Sequence, residues 1–166
     1  MDEFSFESLV NAHYEPLYRF ALSLARSEAD AGDLVQQTFC RWAAKGDQLR
    51  DPSKAKSWLF TTLHREFLGR RRHEDKFPKV EISAVNESEL TANSPSSEKQ
   101  IDGASVMSAL HRLDEMYRAP LALFYLEEHS YRDIAEILEV PVGTVMSRIS
   151  RGKELLRRIF LEKEPR

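Results

Sequence analysis

Thr144, Ser147, Arg148 and Arg151 fall within one stretch, VPVGTVMSRISRGKELLRRIF, in which five residues are basic and one is acidic. Hydroxyl and guanidinium groups share one chemistry: they donate hydrogen bonds to phosphate oxygens and to the acceptor edges of bases. At steps of three and four along a helix they share or flank one outward face. Val145 and Ile149 then point the other way and pin that helix to its neighbour. The neighbour is the segment SYRDIAEILEV, whose buried face is Ile134, Ala135, Ile137 and Leu138. Small Ala135 permits close approach. Between the two lies a turn at Glu139–Val140–Pro141. A short helix, a tight turn and a second helix with a basic face make a helix-turn-helix that reads a DNA groove. The plain alternative is a helical hairpin with a solvated basic face.

Charge along the chain supports a local reading. The 166 residues carry a net charge of −3, which by itself argues against a nucleic-acid binder. The distribution is uneven. Residues 54–76 hold seven basic and three acidic side chains, and residues 77–103 hold two and five. Screening over roughly 8 to 10 Å lets the two basic patches, 54–76 and 142–161, act independently of the acidic remainder. Other chemistries lack their residues. The single cysteine, Cys40, excludes a disulfide framework within one chain, and the five histidines show no metal-ligand spacing. No glycine-rich phosphate loop or catalytic constellation is present, so neither an enzyme nor a cofactor is expected. No apolar run is long enough to span a membrane, and MDEFSFESLV does not read as a secretory signal; a cytoplasmic setting is expected.

The elements that must position these residues are helical. Phe6, Leu9, Val10, His13, Leu17, Phe20, Ala21 and Leu24 recur at steps of three and four. Leu34, Val35, Thr38, Phe39 and Trp42 repeat the pattern, with Asp30 or a neighbour as cap and Gly46 after the end. A third helix opens at Asp51–Pro52 and carries Leu59, Leu63 and Phe67, with Trp58 and Phe60 beside them. Glu66 there is an ordinary surface neighbour of His64. The segment 77–103 is rich in Ser, Asn and Glu without a period, and reads as a flexible acidic linker. After it, Val106, Leu110, Leu113 and Tyr117 form one stripe, Pro120 is placed at a helix start, and Ser130 at the N-cap of the first helix of the pair. The predicted fold is all-α: two small helical domains, 1–76 and 104–166, joined by the linker, with the last helix ending near Leu161.

The stretch SYRDIAEILEVPVGTVMSRISRGKELLRRIF resembles region 4 of the extracytoplasmic-function sigma factors of the sigma-70 family, most specifically in GTVMSR. The resemblance implies that this domain binds the −35 promoter element as duplex, through Tyr131, Arg132, Thr144, Met146, Ser147, Arg148, Ser150 and Arg151. EADAGDLVQQTFCRW is similar to the family's region 2 helix that docks on the clamp helices of the RNA polymerase β′ subunit. That carries a docking role onto Asp30, Asp33, Leu34, Gln36 and Gln37, while Phe39 and Trp42 read as core. KSWLFTTLHREFLGRRR resembles the segment that captures the melted −10 strand, implying His64, Arg65, Arg70, Arg71 and Arg72 as contacts. Cations beside unstacked bases suit that task. The arginine run could equally be a solvated helix end.

The resemblance also implies core RNA polymerase, through its β′ clamp helices and β flap, as partner, together with promoter DNA and an anti-sigma factor. It implies a monomer when free and no membrane insertion. The linker would thread toward the polymerase cleft. Departures from the family pattern are Arg65 for Asn, Gln37 for Glu, Glu139 for the turn Gly, and Met146 and Ser150 at recognition positions. If residue 139 needs positive φ, Glu there costs about 1 kcal/mol. Two rivals differ in kind: a stand-alone helix-turn-helix regulator, dimeric on a palindrome, and an antagonist that uses the docking face alone. No appended domain is expected after LEKEPR.

Overall fold

The computed structural model describes residues 5–45, 49–76 and 103–163, all of it helix and connecting turn with no strand among the described residues. Gly46 and the acidic segment, but for Gly103, lie outside the described residues.

Three helices build the first unit. Helix α1 (Phe6–Leu24) starts where the Ser5 hydroxyl accepts from the Ser8 amide at 3.1 Å. Helix α2 (Glu28–Lys45) is capped by Ser27, whose hydroxyl accepts from the Asp30 amide at 3.1 Å, so the neighbour and not Asp30 is the cap. Helix α3 (Ala55–Lys76) follows a short turn whose Asp51 cap and Pro52 stand as the sequence requires. The apolar stripes meet in a core of Leu17, Phe20, Leu24, Leu34, Leu59, Phe60 and Leu63, all at most 1% exposed. The Phe20 and Phe60 rings lie 5.6 Å apart. Burial of this kind, about 1.5–3 kcal/mol per large side chain, outweighs any single polar contact here.

The second unit holds α4 (Gly103–His111), α5 (Glu115–Leu121), α6 (Tyr131–Leu138) and α7 (Val142–Lys163). The stripe from Val106 to Tyr117 is not one helix. It breaks at Arg112–Asp114 because the Asp114 carboxylate accepts from the Met116 amide at 3.0 Å and starts a new helix there. Pro120 therefore sits inside α5, near its end, and does not start a helix. The chain then widens into a π turn, Ala122–Leu126, closed by the Glu127 amide to the Ala122 carbonyl at 3.2 Å. Helix α7 runs slightly past the expected end, to Lys163. Its Gly152 faces α5 so closely that an added Cβ would lie 2.7 Å from Leu121 Cδ1, which is why a side chain is missing at that crossing.

The two units pack against each other. α3 lies on α6, and α1 lies on α4, α5 and the π turn. Helix α1 has no basic residue in its last turn, and of its final carbonyls only that of Ala21 is shown with a local partner, the Ala25 amide at 2.7 Å. The second unit supplies donors: His111 Nε2 to the Leu22 carbonyl at 2.6 Å and Arg118 Nη2 to the Leu24 carbonyl at 3.1 Å. Arg19 grips Glu127 through a two-pronged pair, Nε to Oε2 at 2.9 Å and Nη2 to Oε1 at 2.8 Å. Phe60 meets the edge of the His129 ring at 4.9 Å.

Candidate nucleic-acid interface

The α6–α7 pair forms the helix-turn-helix the sequence leads one to expect. The Ser130 hydroxyl accepts from the Asp133 amide at 3.1 Å and sets the start of α6. Ile134, Ala135, Ile137 and Leu138 turn inward. Glu139 then adopts φ 59° and ψ 46°, the left-handed conformation expected for the turn, and the Val140 amide closes back to the Ala135 carbonyl at 3.1 Å. The Pro141 carbonyl accepts from the Thr144 and Val145 amides and opens α7. Val145 and Ile149 are 0% and 2% exposed, so this helix can rotate neither way. That fixes Met146, Ser147, Ser150 and Arg151 outward, with Thr144 and Arg148 half-buried beside them. Ser147 donates to the Thr144 carbonyl at 3.1 Å, and Arg151 has only Glu154 within ionic reach, at 3.6 Å. Tyr131 and Arg132 are exposed at the start of α6, with the Tyr131 ring stacked on Phe124 at 5.0 Å. Of the eight residues expected on the duplex surface, six are exposed and Thr144 and Arg148 are half-buried.

The α3 surface is different. Arg72 is exposed, Arg70 half-buried, and Arg71 exposed with its guanidinium 6.0 Å from the Phe67 ring. Arg65 is exposed too, but its Nε donates to Glu139 Oε1 at 2.5 Å. His64 is 6% exposed, and its Nε2 donates to Glu115 Oε1 at 3.2 Å. Arg71 reaches the other oxygen of Glu115 at 3.7 Å. The hydrogen bond from His64 holds the Glu115 carboxyl below its usual range, against the opposing effect of burial. The Arg65 hydrogen bond does the same for Glu139. Both acids are therefore charged near neutrality. His64 in this arrangement is enclosed between the units and offers DNA no surface. Glu66 is not a partner of His64; it pairs with Arg41 of α2.

On α2, Asp30, Asp33, Gln36 and Gln37 are exposed. Leu34 is 1% exposed and belongs to the core, so it holds the helix and presents nothing to a partner in this conformation. Phe39 is buried and Trp42 packs edge-on to Trp58 at 5.3 Å, as core residues do. Asp30 and Asp33 share a surface groove with Arg65 and Arg70, which brings two of the residues expected to dock next to the basic end of α3. A second cleft, of about 610 Å³, opens between the units where Arg26, Arg70, Arg71 and Arg118 face Asp30, Glu74, Asp114 and Glu115.

Sequence reasoning missed Glu115, Glu127, His111 and Arg118. Each acts across a separation of 51 residues or more, and nothing in its own segment marks it. Among the described residues no group of three His, Cys, Asp or Glu side chains could hold a metal, and no helix is long and apolar enough to cross a membrane.

Comparison with known proteins gives the chain a family. The family described as Sigma-70 region 2 matches residues 9–77, and that described as Sigma-70, region 4 matches residues 104–156. The ECF RNA polymerase sigma factor SigE of Mycolicibacterium smegmatis is 32% identical over 92% of this chain, which spans 60% of that relative's length. The ECF RNA polymerase sigma factor EcfG of Rhodopseudomonas palustris is 31% identical over 84% of this chain and 76% of its own. Among solved structures, the sigma factor RpoE of Bartonella quintana, in complex with the anti-sigma factor NepR, superposes with a TM-score of 0.75 at 28% identity, covering 96% of this chain and 98% of that one.

Proposed function

We propose that this chain, which belongs to the extracytoplasmic-function sigma factors of the sigma-70 family, reads its promoters with two unlike surfaces. As a sigma factor it directs core RNA polymerase to promoters and assists their opening. In the reading proposed here, the unit within 1–76 docks on polymerase through Asp30, Asp33, Gln36 and Gln37. The α7 face, from Thr144 to Arg151 with Tyr131 and Arg132 beside it, enters the −35 duplex. Arg65, Arg70, Arg71 and Arg72 hold the melted −10 strand. The single observation that carries this is the fixed rotation of α7: Val145 and Ile149 are sealed inward, so the hydroxyl and guanidinium groups can only face out.

Each surface has the chemistry its target needs. Duplex reading wants a rigid helix with donors at base-edge distance. Strand capture wants cations along a backbone, and the end of α3 supplies three consecutive arginines. The anti-sigma partner in the Bartonella quintana complex supports a similar protein partner for this chain, which would act in the cytoplasm as a monomer with no catalytic activity of its own. A stand-alone helix-turn-helix regulator has no use for the region 2 half.

Run-off transcription tests the reading. Purified protein, core RNA polymerase from the same host and a genomic promoter library are mixed, and transcript starts are sequenced. Starts that share two spaced upstream elements, absent without the protein, are expected. Measurable core binding with no new starts would overturn the two-surface reading.

A further inference from the structure

Two side chains on the α7 face differ in kind from their neighbours. Val142 is 40% exposed and Met146 50% exposed, and neither packs on the core. A separation of four places them one turn apart on a single stripe of the helix. The residues around that stripe are polar or basic. Ser147, Ser150 and Arg151 are exposed, Thr144 and Arg148 are half-buried, and the stretch from Val142 to Lys153 contains no acid. Gly143 follows Val142 in the first turn. An added Cβ there would meet nothing within 4 Å, whereas at Gly152 it would strike Leu121. Packing inside the chain therefore accounts for Gly152 and not for Gly143. A residue without a side chain leaves the first turn of α7 open to close approach from outside.

An exposed apolar stripe inside a basic, hydroxyl-bearing face suits a ligand that is polar overall but carries one apolar group. In the major groove a single base does so. Thymine presents a C5-methyl group beside its O4 acceptor, while guanine, adenine and cytosine present hydrogen-bonding groups. In a helix-turn-helix the N-terminal part of the second helix meets the base edges, and Val142 and Met146 lie in the first two turns of α7. We infer that Val142 and Met146 select thymine by packing on its methyl group, so that the duplex element read by α7 holds a thymine, on either strand, opposite the start of the helix. This rests on the proposed entry of α7 into the −35 duplex. Methionine at 146 donates no hydrogen bond, which removes the guanine contact that an arginine or lysine there would make. Its unbranched thioether adapts to the position of a methyl group. The serine side chains at 147 and 150 are short and leave the stripe uncovered. A protein surface seated on the stripe would have to bring acids of its own to Arg148 and Arg151, whereas duplex DNA brings phosphates along both walls of the groove.

The test uses the full chain in holoenzyme on duplex DNA. Holoenzyme selects duplexes from a library randomised over the upstream element, and each thymine of the enriched element, on both strands, is then replaced singly by uracil. Uracil keeps the base pair and the O4 acceptor and lacks only the methyl group. The expected result is one or two positions at which uracil lowers holoenzyme affinity about fourfold, the worth of one buried methyl group. Met146→Ala or Val142→Ala should lower affinity for the thymine duplex by a similar factor, with no further loss on uracil substitution at that position. Both side chains are exposed and off the core, so these variants keep their fold, which circular dichroism checks. Arg148→Ala with Arg151→Ala, on the same duplexes, separates two kinds of failure. Uracil tolerated at every position while the arginine variant loses affinity overturns the methyl contact and leaves α7 in the duplex. A uracil penalty undiminished in both alanine variants overturns the contact as well. Weaker core binding by Met146→Ala, with uracil tolerated, gives the stripe to a protein partner instead. No enriched element, or an arginine variant that binds as the parent does, overturns the duplex reading and this inference with it.

Discussion

The α7 face and the end of α3 carry similar side chains in opposite circumstances. Both present arginines on a helix anchored from behind, α7 by Val145 and Ile149 and α3 by Leu63 and Phe67. On α7 Arg151 is exposed and Arg148 half-buried, and no acid from another unit is shown against either. On α3 two of the cations are met by acids from another unit. What decides availability is what stands opposite, and that is set by how the two units pack. A basic run in a sequence gives the chemistry of a surface, not whether the surface is open.

The largest effect that separates the two surfaces should come from the open one. Arg148→Ala with Arg151→Ala should reduce promoter-specific run-off transcription by about thirtyfold or more, at roughly 1–3 kcal/mol per lost contact, while core polymerase binding stays within twofold. Normal transcription by this variant would remove α7 from the duplex role. A smaller loss, roughly tenfold or less in open-complex formation followed by permanganate footprinting, is expected for Arg65→Ala. That substitution removes a strand contact but also releases Glu139, and the two consequences oppose each other.

Acid should loosen the junction before it touches either surface. Burial holds His111 and His129 below the usual histidine range. At His111 the hydrogen bond to the Leu22 carbonyl opposes this, while Arg118 and Arg26 act with it; at His129 Lys56 acts with it and Asp133 opposes it. A depressed folded-state value means that the unfolded chain binds protons first. The contribution to stability is therefore full above about pH 6.5 and is lost as pH falls through the folded-state values. Melting temperature should drop by roughly 2–4 °C between pH 7.5 and pH 5.5. His129→Leu should flatten that slope, since His129 Nε2 is buried without a hydrogen-bond partner and its ring packs edge-on against Phe60. Glu115, whose carboxyl is held low, weakens only below about pH 4.5. A flat profile in the parent would show that these histidines are not part of the junction's stability. The smallest effect is expected for Glu139→Gly, which should raise stability to chemical denaturation by about 0.5–1 kcal/mol as the left-handed strain is relieved, while the Arg65 surface becomes more accessible.

Much of the architecture was legible because helical periodicity is local. Leu59, Leu63 and Phe67 announce the buried face of α3, and Ser130, Asp51 and the Glu139 turn announce where helices start and stop. The break before α5 was not legible. Asp114 and Pro120 both signal a helix start, and the carboxylate that captured the Met116 amide won over the proline. The α7 surface could be read because two inward residues fix the helix rotation. The state of the α3 surface could not. Arg65–Glu139 and Arg19–Glu127 join residues 74 and 108 apart, and no pattern within either segment points to the other. Leu34 shows the same limit: a residue expected to dock can be wholly buried while Asp33 and Gln36 beside it are exposed.

Photo-crosslinking in the complete promoter complex tests the two-surface account most directly. A photoreactive amino acid is placed at Met146, which is 50% exposed on the α7 face, or at Arg72, exposed at the end of α3. Each holoenzyme is irradiated on the same promoter before and after strand opening, and the crosslinked bases are mapped. The account predicts that Met146 marks the upstream duplex element in both states, and that Arg72 marks the downstream non-template strand only after opening. Crosslinks from both positions to one element, or from Arg72 to duplex in the closed complex, would contradict it.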